Sequence, residues 1–120
     1  MAAVLAAEEA LGRIPEAQSH SNPGYDIYST DADGEGVFIE VKGRIEGAMS
    51  FHFSKTQVLC GKNMGPRHRL ALVSVSLRGP EHDQVRYLVD PCAGMDFGAF
   101  ETTGVEGDWR AMWAKGGPPR

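Results

Sequence analysis

Three side chains, Asp26, Glu40 and Lys42, are spaced so that one hairpin could bring them together. Asp26 and Glu40 lie symmetrically about Asp33, inside the run Asp31-Ala32-Asp33-Gly34-Glu35-Gly36. Asp and Gly dominate turns because Asp bonds its own backbone and Gly accepts positive φ. A hairpin folding about Asp33 makes the two carboxylates face each other across adjacent strands. Side chains alternate along a strand, so Phe38, Glu40 and Lys42 share one face. Val37, Ile39 and Val41 share the other, which is expected to be core. Opposed like charges destabilise a strand pair, and a hard divalent cation offsets that repulsion. Mg²⁺ suits the position because it takes carboxylate oxygens together with water and phosphate oxygens. Lys42, one pleat beyond Glu40, reaches the same spot. There it would orient or help deprotonate a water, or neutralise phosphate charge, beside a metal acting as Lewis acid. The plain alternative is an exposed strand face with a Glu40–Lys42 ion pair.

The surrounding pattern supplies elements that could hold these residues. Residues 2–12 read as a helix rich in Ala, Leu and Glu, with Gly12 at its end and Val4, Leu5, Ala7 and Leu11 as its apolar stripe. Residues 25–29 and 37–42 read as the two hairpin strands, the second ended by Gly43. Another strand is expected within residues 48–53. A short helix follows over 54–63, with Ser54 as N-cap. LALVSVSL at 70–77 is apolar on both faces and predicts a central strand covered on both sides. Residues 84–89 return beside it. Residues 92–107 read as irregular, 108–113 as a last helical turn on which Trp109 and Trp113 pack, and GGPPR as a frayed tail.

Composition narrows the class. A chain of 120 residues with 42% hydrophobic residues predicts one soluble domain, with a core over about residues 3–91 and a C-terminal extension over 92–120. No apolar run is long enough to span a membrane, and the N-terminal run is interrupted by Glu8 and Glu9, unlike a signal peptide. Cys60 and Cys92, far apart, predict neither a disulfide framework nor a zinc site, and a reducing cytoplasm is the expected location. The net charge is -4, but it is unevenly spread. Residues 1–40 hold eight acidic side chains and one Arg, and residues 41–70 hold six basic ones and one Glu. An acidic start followed by a basic middle fits a metal site beside a phosphate-binding surface. Lys55, Lys62, Arg67, His68 and Arg69 are the candidates for that surface, against the alternative of an ordinary basic loop. His20, His52 and His82 have no metal-ligand spacing. Cys60 is expected in the core.

The run Gly24-Tyr25-Asp26-Ile27, then Ile39-Glu40-Val41-Lys42-Gly43, resembles the PD-(D/E)XK nuclease superfamily. The longer match, NPGYDIYS followed by FIEVKGR, an aromatic strand and a short helix, resembles the NO VEIN C-terminal-like domain family over about residues 3–91. The resemblance implies an α/β (α+β), restriction-endonuclease-like fold: a central mixed β-sheet flanked by helices. It implies a Mg²⁺-dependent (or Mn²⁺-dependent) endonuclease acting most naturally on DNA, as a module of a larger helicase-type or defence-related protein. By the same resemblance Asp26 and Glu40 bind the metal, with the Val41 carbonyl as a further ligand, and Lys42 is the catalytic lysine. Glu8 matches an acidic position on the first helix, with Glu9 as its competitor. Gln57 matches a position that orients water or substrate. The chain departs from the pattern before Asp26, where the polar stretch holding Pro15 and Pro23 leaves room for a short strand or none. The alternatives are a catalytically silent nucleic-acid-binding module and a protein-interaction module that docks through residues 92–120. Oligomeric state and the choice of DNA over RNA are open at this level.

Overall fold

The computed structural model describes residues 1–19, 21–22, 24–93 and 104–120. A five-stranded mixed sheet forms its centre, with helices against both faces. Helix α1 (Ala2–Ala10) is followed by strand β1 (Ile14–Ala17), β2 (Ile27–Thr30) and the long β3 (Gly36–Ile45). Next come β4 (Ser50–Ser54), helix α2 (Lys55–Met64), β5 (His68–Val75) and β6 (Gln84–Val89). Strand β7 (Gly104–Asp108) and helix α3 (Trp109–Lys115) complete the described elements. The sheet order is β1-β2-β3-β5-β6, and β4 pairs separately with β7. Only β3 and β5 run parallel, so the chain crosses over between them through β4 and α2.

The hairpin folds in the register that symmetry about Asp33 requires. Ile27 pairs with Ile39, Tyr28 with Phe38 and Ser29 with Val37. The turn is built by Asp31, whose Oδ1 accepts from the N–H groups of Asp33 and Glu35, both at 2.9 Å. Gly34 there takes a left-handed φ of 82°.

The two faces of the sheet carry different cores. Ile27, Ile39, Ala71, Val73 and Tyr87 pack beneath α1 around Val4. Phe51, Phe53, Val58, Leu70, Leu72, Cys92 and Trp109 pack on the opposite face with α2 and α3. Leu70, Ala71 and Leu72 are all fully buried, as a strand covered on both sides demands. Helix α2 begins with a complete capping box: Ser54 accepts from Gln57 N, and the Gln57 side chain accepts from Ser54 N.

Several local expectations change. Strand β3 runs through Gly43 to Ile45, because its parallel pairing with β5 continues to Val75. The short strand before Asp26 exists, and Pro15 is tolerated there because β1 is an edge strand. The stripe of α1 is narrower than its composition suggests: Val4 and Glu8 are buried and Leu11 is 40% exposed. Residues 104–108 form β7 along β4 rather than irregular chain, and residues 94–103 of that stretch lie outside the described residues. Helix α3 inserts Trp109 into the core, edge-on to Phe51 at 6.0 Å and stacked on Trp113 at 5.9 Å. The tail is docked, not frayed: Gly117 exchanges two backbone hydrogen bonds with Tyr87, at 2.9 and 3.0 Å. Cys60 is half-buried, and both cysteines are free thiols. His52 and His82 lie at the surface beside Glu106 and Glu81, and His20 and Pro23 lie outside the described residues. Among the described residues no helix is long and apolar enough to cross a membrane.

His68 is fully buried in β5, so it cannot line a phosphate-contact surface. Neither ring nitrogen has a hydrogen-bond partner among the described residues. Burial holds its imidazole down at about 4; the pull of Asp90 opposes this and Arg69 adds to it. An unfolded chain binds that proton near pH 6.5, so it is protonated first on acidification. The stability tied to neutral His68 is complete above pH 6.5 and is lost as pH falls toward about 4, on the order of 3 kcal/mol in all. From pH 7 to 4 the urea midpoint of the wild type should therefore fall relative to that of His68→Leu. Parallel curves would show that His68 is not held neutral.

Candidate active site

Asp26 sits where β2 parts from β3. The paired register ends at Ile27–Ile39. Beyond it Asp26 N–H bonds the Ile39 carbonyl at 2.8 Å, and Val41 N–H donates to Asp26 Oδ2 at 2.8 Å. The carboxylate thus replaces a backbone acceptor at the point where the ladder fails. Gln18 N–H bonds the Asp26 carbonyl from the other side at 2.8 Å, so the residue is pinned between β1 and β3.

Glu40 and Lys42 project from β3 toward α2, as strand alternation requires. Glu40 is 3% exposed. Gln57, in the first turn of α2, binds both. Its Nε2 donates to Glu40 Oε1 at 2.9 Å, and its Oε1 accepts from Lys42 Nζ at 2.9 Å. The Lys42 ammonium also lies 3.3 Å from Glu40 Oε1 and 5.3 Å from the centre of the Phe53 ring. An amide suits this place because it donates on one side and accepts on the other.

Burial is the main force on the Glu40 carboxyl, and the neighbouring Asp26 adds to it; together they push the group up to about 7 despite the opposing Lys42. The site therefore holds more negative charge than its lysine balances. Two carboxylates make a hard oxygen donor pair of the kind a divalent cation takes. Among the described residues no group of three or more His, Cys, Asp and Glu side chains gathers as a metal cage. Further ligands would have to be water or substrate oxygens.

Comparison with known proteins gives the family and the fold. A family model described as "Protein NO VEIN, C-terminal" matches residues 1–88. The chain belongs to that family. Among solved structures it is similar to Hjc, a Holliday junction resolvase from the archaeal hyperthermophile Archaeoglobus fulgidus. The TM-score is 0.61 at 14% identity, over 97% of this chain and 93% of that one. The fold is thus restriction-endonuclease-like, a central mixed sheet flanked by helices. No curated protein matches the chain.

The remaining candidates of this NO VEIN C-terminal domain are dispersed. Glu8 lies under the other face of the sheet. It is fully buried, bound by Arg13 Nε and Nη2 at 2.7 and 2.9 Å and by the Tyr87 hydroxyl at 2.7 Å. Tyr87 is paired with Ala71, and Ala71 with Val41, all on the α1 face. Burial alone would raise the Glu8 carboxyl, but the bonds from Arg13 and Tyr87 outweigh it and hold the group below the usual carboxylate range. Glu9, the competing position, is exposed. Lys55 and Lys62 lie on α2, and Arg67 lies in the 3-10 turn after it, bonded to the Gly36 carbonyl at 2.9 Å. Arg69 turns to the α1 face, where it binds the carbonyls of Arg120 and Pro66. Arg13 and Tyr87, the partners that fix Glu8, were not singled out from sequence; a buried Glu on an apolar helix stripe is the signal that calls for such partners.

Two measurements follow from this geometry. In metal-free protein the contribution of Glu40 has the sign opposite to that of His68. It is complete below about pH 4.5 and is lost as pH rises through about 7. Over that range the urea midpoint of the wild type should fall relative to that of Glu40→Gln, which keeps only the opposing rise from His68. An equal slope in both would refute the burial of this carboxyl. Separately, Glu8→Gln should lower the unfolding free energy by about 3 kcal/mol, because it leaves a guanidinium without its buried partner. An unchanged midpoint would free Glu8 for another role.

Proposed function

We propose that this domain is a metal-dependent nuclease that hydrolyses phosphodiester bonds in DNA. The observation that carries the reading is the Asp26–Glu40 pair, held on one face beside Lys42 by Gln57. Crowded carboxylates are costly to stability, and a cation between them turns that cost into binding energy. The fold likeness to a Holliday junction resolvase supports a nucleic-acid substrate. That relative is a resolvase of Holliday junctions, and DNA is the substrate proposed for this chain.

Asp26, Glu40 and the Val41 carbonyl would hold Mg²⁺, with Mn²⁺ as a substitute. The bound metal supplies Lewis acidity toward phosphate oxygens. Lys42 stands beside it on the same face. Its ammonium neutralises charge gathering on the phosphate and orients the attacking water. Gln57 fixes the direction of the Lys42 ammonium and the Glu40 carboxylate together. Lys55, Lys62 and Arg67 carry the backbone contacts that place the strand. Glu8 acts as a scaffold residue, tying α1 to β6 through Tyr87. The domain works as a module of a larger helicase-type or defence-related protein.

The test is nicking of single- and double-stranded DNA by the purified domain. Mg²⁺ or Mn²⁺ should support cleavage, and EDTA should abolish it. Lys42→Ala and Asp26→Ala should each reduce the rate by about a hundredfold or more while leaving the circular dichroism spectrum unchanged. Absence of cleavage with either metal on DNA of any form would overturn the proposal, and cleavage confined to RNA would overturn its substrate.

A further inference from the structure

Beside the carboxylate pair, on the same face of the hairpin, lies an aromatic cluster that neither core uses. Phe38 is two residues before Glu40, and Tyr25 immediately precedes Asp26. The Tyr25 and Phe38 rings meet edge to face, with centres 5.0 Å apart and planes at 75°. Tyr28, the cross-strand partner of Phe38, lies at 5.1 Å and 43°. All three rings are half-buried, and none belongs to the two buried clusters. The Arg67 guanidinium sits 5.3 Å above the centre of the Phe38 ring. Its Nε is anchored on the Gly36 carbonyl, and the residue is exposed.

The cluster is built rather than incidental. The Tyr28 ring lies directly on Gly36, where an added Cβ would come within 2.3 Å of the hydroxyl oxygen and 2.4–2.5 Å of two ring carbons. Only glycine leaves the ring that place. Outward positions on a hairpin ordinarily carry polar side chains. Here three rings and a guanidinium stand beside a candidate site for phosphate chemistry. Their chemistry matches a nucleobase: rings offer π faces, and arginine adds a stacking cation that also meets the phosphate charge. A base inside continuous duplex has both faces covered by its neighbours, so only an unpaired base can use such a surface.

We propose that Tyr25, Tyr28, Phe38 and Arg67 form a stacking platform for an unpaired DNA base next to the scissile phosphate. The substrate class is then DNA with a single-stranded segment, such as a flap, rather than continuous duplex. The proposal rests on the nuclease reading given above and deepens it.

The experiment measures binding and cleavage separately. Binding of the full 120-residue chain is measured in Ca²⁺ to a flapped DNA carrying 2-aminopurine in the flap, and to a fully paired duplex of equal length. The wild type should prefer the flapped DNA by roughly tenfold or more, the scale of one stacked base, and should change the 2-aminopurine fluorescence. Phe38→Leu and Tyr25→Leu should each remove that preference and the fluorescence change while leaving duplex affinity as it was. Gly36→Ala should do the same with every ring retained. Phe38→Tyr keeps a ring and must keep the preference; its loss overturns the proposal even if Phe38→Leu does not fold. Equal affinity for both DNAs, no affinity for either, or a preference that appears only with RNA also overturns it. Metal-dependent cleavage without flap preference would leave the nuclease reading standing and remove the platform. Flap preference without cleavage would do the reverse.

Discussion

Two carboxylates held within reach of each other on one sheet face set the terms for everything around them. Asp26 and Glu40 repel, and burial of Glu40 sharpens the conflict. The fold holds them there by making each part of another structure. Asp26 completes a backbone ladder by accepting from Val41 N–H. Glu40 is held from the helix side by an amide that also holds Lys42. The same amide closes the capping box that starts α2. The helix, the lysine and the carboxylate therefore share one residue, so the candidate site cannot be rearranged without loosening the helix above it.

The sheet divides its work between its faces, and the division explains why one buried glutamate differs from the other. Under α1, Glu8 has a guanidinium and a phenol bonded to it, and its charge is compensated locally. Under α2, Glu40 has one lysine and a second carboxylate, and its charge is not. Both residues are nearly inaccessible to water. Compensation, rather than burial, separates a carboxylate that ties elements together from one poised to take up a cation. The family resemblance predicts a site role for Glu8, yet its bonds to Arg13 and Tyr87 join α1 to β6.

The hairpin and the trio were legible in sequence because their determinants are local. Turn chemistry at Asp31–Gly36 fixes the centre, the centre fixes the register, and alternation then puts Glu40 and Lys42 on one face. Ser54 was legible as an N-cap for the same reason, whereas Gln57 came only from the family resemblance, and its part in the capping box is seen only in the fold. What could not be read depends on distant partners. Gly43 looked like a strand end, but pairing with β5 carries β3 past it. The tail looked free until Tyr87, thirty residues upstream of Gly117, was seen to bond it. Arg69 follows Arg67 by two residues in the basic run, yet it lies in β5 on the α1 face with Ala71, while Arg67 stays in the turn before the strand. His68 shared that run and is buried by the same strand.

The chain is acidic overall, which at first argues against a polyanionic substrate. The fold answers this by sorting charge. The acidic N-terminal third supplies Asp26 and Glu40, and the basic middle supplies Lys42 on the same strand as Glu40. Helix α2 and the turn after it add Lys55, Lys62 and Arg67 on that side of the sheet. Fields at a surface are set by the charges within a Debye length of about 8–10 Å, not by the net charge of the molecule. A phosphate approaching the α2 face would meet cations around a carboxylate pair that itself calls for one more. A cation bridging that pair would turn the most repulsive point for a phosphate into an attractive one. On the proposed nuclease reading the site would stay unattractive to polyanions until Asp26 and Glu40 held a cation, so substrate affinity and metal occupancy would rise together.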